Sequence, residues 1–82
     1  MQLIVEYEDG THELSVTPAV EVAFERQFKG GMGKLFRTEE KQEHLYWLAW
    51  ECLRRAGVTV PPFGDDFLDR LGGVEVADSP NG

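Results

Sequence analysis

The chain predicts a small α+β fold, an N-terminal β-hairpin packed on about three helices. Three observations predict it. Alternating apolar residues stand on both sides of Asp9-Gly10, apolar residues at helical spacing follow Thr17-Pro18 and Thr38, and glycine or proline pairs punctuate the remainder. With 82 residues and a single cysteine, the chain has room for one domain, residues 1–82, with a modest core and no internal disulfide.

Residues 2–16 read as the hairpin. Leu3, Val5 and Tyr7 alternate with Ile4, Glu6 and Glu8, and the alternation resumes with His12, Leu14 and Val16. A type I′ turn at Asp9-Gly10, which needs positive φ at both residues, would pair Tyr7 with His12, Val5 with Leu14 and Leu3 with Val16. The large apolar residues then share one face, while Glu6 opposes Glu13 on the solvent side with a mild like-charge penalty.

Residues 18–56 read as two helices joined by a glycine-rich loop. Thr17 is a good N-cap, and Pro18 suits the first helical position because its missing N–H leaves nothing unpaired there. Val20, Ala23, Phe24, Gln27 and Phe28 form a helical stripe that Gly30-Gly31 is expected to stop. The segment "GGMGKLF" (residues 30–36) has a lysine among glycines, but Leu35 follows Lys34 where a phosphate loop requires Ser or Thr, and the segment follows a helix. Its Met32, Leu35 and Phe36 are expected either to tuck into the core or to make contacts. Thr38 opens the central and longest helix, about 38–56. Glu39 and Glu40 lie in its first turn, Arg54 and Arg55 in its last, and Gly57 is the stop. After the extended link "VTVPPFG", Asp65 and Asp66 lead a short helix over 65–71, stopped by Gly72-Gly73. "VEVADSPNG" is a short extended piece, frayed over 77–82.

The stretch "EHLYWLAWECLRRAG" (residues 43–57) holds both tryptophans. At 100° per residue, Leu45, Leu48, Ala49, Cys52, Leu53 and Ala56 form one apolar face, with Tyr46 at its edge. Glu40, Glu43, Glu51 and Arg54 form the other face. Trp47 falls among these charges and Trp50 at the boundary. A helix apolar nearly all round is usually buried between other elements, which would explain the tryptophans by packing alone. The sharper reading makes Tyr46, Trp47 and Trp50 a protein-binding ridge, with Met32, Leu35 and Phe36 as a second contact. Arg54 can also stack on Trp50 at i, i+4. Cys52 faces the core as a small apolar residue.

Composition excludes several classes. A net charge of −7 opposes binding to nucleic acid or to an anionic membrane. The longest apolar run, residues 45–50, is too short to span a bilayer, and the N-terminus lacks the basic-then-apolar pattern of a leader. His12 and His44 fall in different elements, so neither a catalytic set nor a metal site is expected, and no cofactor. The expectation is a cytoplasmic protein that acts by binding other proteins and is not an enzyme.

The arrangement resembles the small tail assembly chaperones of long-tailed (siphovirus-type) bacteriophages, especially those of actinobacteria. The resemblance is carried by "MQLIVEYEDGTHELSV", "TPAVEVAFERQF", "EKQEHLYWLAWECLRRAG" and "FGDDFLDRLGGVEVAD", nearly the whole chain. It implies a chaperone in the host cytoplasm that binds the tape measure protein, keeps it soluble, helps recruit tail tube subunits and is absent from the mature virion. It also implies self-association and, in many members, a second form made by ribosomal frameshifting. The family's terminal segment is commonly longer and more acidic than "VEVADSPNG". Two other readings compete: a structural tail or connector component of the virion, and a small acidic regulatory module.

Overall fold

The computed structural model describes residues 1–29 and 42–77. The described chain is an α+β fold with the order β1 (Gln2–Tyr7), β2 (Gly10–Ser15), α1 (Pro18–Phe28), α2 (Gln42–Arg55), α3 (Asp65–Arg70) and β3 (Leu71–Ala77). The N-terminal hairpin is present. At 14 residues, α2 is the longest described helix, against 11 for α1 and 6 for α3. The expected Thr38 cap and the glycine-rich loop lie outside the described residues.

The sheet has three strands in the order β2-β1-β3, both pairings antiparallel. The alternation in β1 buries Leu3, Val5 and Tyr7 and leaves Gln2 and Glu6 exposed, so one face of the sheet carries the core. Leu14, Val16, Val20, Phe24, Trp47, Leu48, Ala49, Cys52, Leu53 and Phe67 complete that core from β2, the link after it and the helices. The described helices all lie on this side.

The hairpin register differs from the expected one. Tyr7 pairs with Gly10, Val5 with His12 and Leu3 with Leu14, so the turn residues are Glu8 and Asp9. Gly10 has φ 131°, while neither Glu8 nor Asp9 has positive φ. The type I′ turn is therefore not formed, and the glycine immediately after the turn takes the unusual conformation. The shift moves each partner by two residues, which preserves the faces. It also places Thr11, not Glu13, opposite Glu6 and so removes the expected like-charge pair.

The helix ends follow their local chemistry. Thr17 caps α1, its hydroxyl accepting from the Val20 N–H, with Pro18 at the first helical position. The left-handed residue ending α1 is Lys29 (φ 57°, ψ 46°), one position before the glycines expected to do so. α2 ends in a Schellman motif. Gly57 has φ 90° and donates to the Arg54 carbonyl, and Val58 donates to the Leu53 carbonyl at 3.0 Å.

α3 stops at Arg70, not at residue 71, because Leu71 already pairs in β3. The chain after it is a full strand through Ala77, so the piece expected only to be extended joins the sheet beside β1. Gly72 is the extra residue where the β1–β3 register shifts. A Cβ there would come within 3.3 Å of both Cβ and the carbonyl oxygen of Glu6, so a side chain would crowd the paired backbone.

Candidate protein-binding surface

The aromatic residues singled out by sequence separate in the fold. Trp47, placed among charges on the helical wheel, is only 6% exposed. Its ring lies edge-on to Phe28 at 5.7 Å and Phe24 at 6.1 Å, and contacts Trp50 at 5.9 Å. Of the two readings of Trp47, burial by packing is the one the structure shows, and the exposed-anchor reading is corrected: Trp47 belongs to the core. The buried arc of α2 extends past the expected apolar face to include His44, Trp47 and Glu51, while Ala56 is exposed and Leu45 half-buried. Phe24 and Phe28 of α1 supply the cover, both packing against His44 as well.

Glu51 shows how a carboxylate enters this arc. It is 3% exposed, and its two oxygens accept from Arg54 Nε at 2.8 Å and Arg55 Nε at 2.9 Å. These one-turn partners on the same helix keep the buried charge paired and hydrogen-bonded.

Trp50 is half-buried and anchored. Its indole Nε1 donates to the Pro61 carbonyl at 2.8 Å, its ring meets Phe63 at 6.1 Å, and Arg54 Cζ lies 5.6 Å from its centroid, as the i, i+4 spacing anticipates. Tyr46 is half-buried and lines a depression of about 150 Å³ with Leu68, Leu71, Gly72 and Gly73. Met32, Leu35 and Phe36, the second expected contact, lie outside the described residues. The structure therefore does not assemble Tyr46, Trp47 and Trp50 into one exposed ridge.

A larger groove of about 300 Å³ runs between β2 and the end of α2, lined in part by Glu13, Thr17, Cys52 and Arg55. Cys52 is buried, and its Sγ is 3.9 Å from the Ser15 carbonyl. Burial first, and the neighbouring Glu51 charge second, push its thiol up to about 11, so it stays protonated and weakly nucleophilic at neutral pH. Among the described residues, no group of three or more His, Cys, Asp or Glu side chains is placed to hold a metal. No described helix is long and apolar enough to cross a membrane.

The surface that the aromatic pattern did not reveal is the bare face of the sheet. Its middle row places Ile4 between Glu13 and Glu75, with Glu6 one step further along β1. Ile4 is half-buried and the three glutamates are exposed. The alternation in "VEVA" (residues 74–77) is the sequence signal for the strand that contributes Glu75. The sequence predicts a short extended piece there, and its pairing with β1 is what the structure adds.

Comparison of the chain with protein-family models, curated proteins and solved structures finds no match.

Proposed function

We propose that the chain is a tail assembly chaperone of a long-tailed bacteriophage. On this reading it binds the tape measure protein in the host cytoplasm, keeps it soluble and helps recruit tail tube subunits. It self-associates in doing so and leaves before the virion is complete. The resemblance along "EHLYWLAWECLRR" and "FLDRLGGVEV" is the starting point for this reading. The observation that supports it most is the one-sided fold. All of the described helical packing is on one face of a three-stranded sheet, and among the described residues no helix lies on the opposite face, which has Ile4 at its centre and can meet another protein. The surface is strongly acidic, which would keep a complex with an aggregation-prone client in solution. Cys52 is a buried protonated thiol, which fits a binding role better than a chemical one.

The test is co-expression with the tape measure protein. The expected result is that the client is soluble and co-purifies with the chain, and is insoluble alone. Mass spectrometry of purified particles should then lack the chain. A client equally soluble without it would overturn the chaperone reading, and stoichiometric presence in particles would favour a structural component.

A further inference from the structure

Among the described residues, the helices all lie on one side of the sheet and none lies on the other. In the bare row, Glu13 of β2 and Glu75 of β3 stand on either side of Ile4 of β1. Adjacent strands are about 4.8 Å apart, so the two carboxylate-bearing positions are separated by roughly 10 Å across the apolar one. Gly73 contributes no side chain beside Glu6, and a hollow of about 260 Å³ opens there, lined by Ile4, Glu6, Gly73, Val74 and Glu75. Its lining combines the apolar Ile4 and Val74 with the carboxylate-bearing Glu6 and Glu75.

These carboxylates differ from several others in the chain. Glu51 is held by Arg54 and Arg55, and Glu8 and Asp66 by Arg70. Among the described residues, Glu6, Glu13 and Glu75 have no ion pair, and none of the outward-facing strand positions is a lysine or arginine. The face is therefore complementary to a cationic partner and repels acidic ones. A second copy presenting the same glutamates is disfavoured at this face, which leaves self-association to other surfaces.

We propose that this face binds a cationic amphipathic helix of a protein client. Residues i and i+7 of a helix lie on one side about 10.5 Å apart, which matches the span from Glu13 to Glu75. Lysine or arginine at those two positions meets the glutamates. An apolar residue at i+3 or i+4 sits on Ile4 and reaches the hollow beside Gly73. The inference rests on the reading of the chain as a holder of protein clients, and names the chemistry of the segment it holds.

The test is a titration of the full isotope-labelled chain with a synthetic helix carrying Lys at i and i+7 and Leu at i+4, followed by amide chemical shifts. The expected shifts centre on Ile4, Glu6, Glu13 and Glu75. Affinity should fall about tenfold or more from low to high salt, and by a similar factor in Glu13→Gln/Glu75→Gln, whose thermal unfolding should match the parent. A control helix with Glu in place of both lysines should not bind. The proposal is overturned if the control binds equally, if the shifts map to the helical side, or if the double variant binds as well as the parent. It is also overturned if the face accepts the peptide only after Lys34→Glu/Arg37→Glu, which reverse the charges of the two cationic residues flanking Leu35 and Phe36, because that segment of the chain would then be the occupant. Co-expression separates the two ideas. Failure of the parent chain to solubilise the tape measure protein removes the chaperone reading and leaves the peptide result standing. A parent that solubilises it without peptide binding removes this face alone.

Discussion

The indole Nε1 of Trp50 donates a 2.8 Å hydrogen bond to the carbonyl of Pro61, eleven residues further along the chain. This bond ties α2 to the extended link that carries Val58, Val60 and Phe63 onto the core. Trp50→Phe retains an aromatic ring but leaves a part-buried carbonyl unpaired. The expected loss is about 1–2 kcal/mol, read from the midpoint of urea unfolding. Arg54→Ala is not an equivalent change, because it also removes a partner of buried Glu51.

Trp47 makes a sharper prediction, since its burial reverses the role expected from the helical wheel. Trp47→Ala should destabilise the isolated chain by about 3–5 kcal/mol, comparable with about 2–5 kcal/mol for Leu48→Ala, because each opens a cavity among rings and aliphatic groups that cannot collapse fully. Chemical denaturation of both variants, without any partner, checks it. A Trp47→Ala chain as stable as the parent would place the ring outside the core.

Tyr7 stacks on Phe67, with centroids 5.6 Å apart, and joins the hairpin to α3. Its hydroxyl is buried and has no hydrogen-bond partner among the described residues. Tyr7→Phe keeps the stacked ring and removes the unsatisfied group, so it should leave stability unchanged or raise it by about 1 kcal/mol. Tyr7→Ala should cost about 3 kcal/mol or more, a contrast that thermal unfolding resolves.

Lys29 ends α1 at φ 57°, a conformation that costs a side-chain-bearing residue about 1 kcal/mol and glycine very little. Lys29→Gly should therefore stabilise the chain by roughly 0.5–1 kcal/mol, despite the greater freedom of glycine in the unfolded state. Lys29→Ala, which keeps the Cβ, should bring no such gain. Denaturant midpoints of the two variants provide the comparison.

The Cys52 thiol predicts a pH dependence on the alkaline side. Its folded-state pKa is raised from 9.0 to about 11, so between these values the unfolded chain has released a proton that the folded chain retains. Stability is thus fully present below pH 9 and falls as pH rises through 9 to 11. Tyr7, also raised by burial and by nearby carboxylates, adds a decline of the same sign above pH 10. Cys52→Ala should flatten the slope that begins near pH 9 and leave the part due to Tyr7. Unfolding curves from pH 7 to 10.5 would show this.

What was legible in the sequence is what neighbouring residues decide among themselves. The faces of β1 and β2 follow from side-chain alternation. The Thr17 cap and the Gly57 stop follow from groups within one helical turn, and so does the stacking of Arg54 on Trp50. The hairpin register was not legible, because an Asp-Gly pair can serve a turn centred on either side of Asp9. The two alternatives differ by two residues and bury the same faces. Lys29 took the left-handed position expected of a glycine because the stripe ends at Phe28, two residues before Gly30.

The candidate site was less legible for a different reason. Hydrophobic periodicity shows which side of a helix is apolar, but not how much of its circumference other elements cover. α1 brings Phe24 and Phe28 over His44 and Trp47, and this long-range packing converts a supposed contact residue into core. The bare face depends on pairing between segments some seventy residues apart. Glu75 flanks Ile4 only because β3 adds to β1, and Glu13 flanks it only in the register that the turn adopts. By itself the sequence determined the elements and their apolar faces, through local sterics and capping. Tertiary structure decided which aromatic was buried and which charges met on one surface, because burial and cross-strand adjacency are properties of assembled elements and not of any one of them.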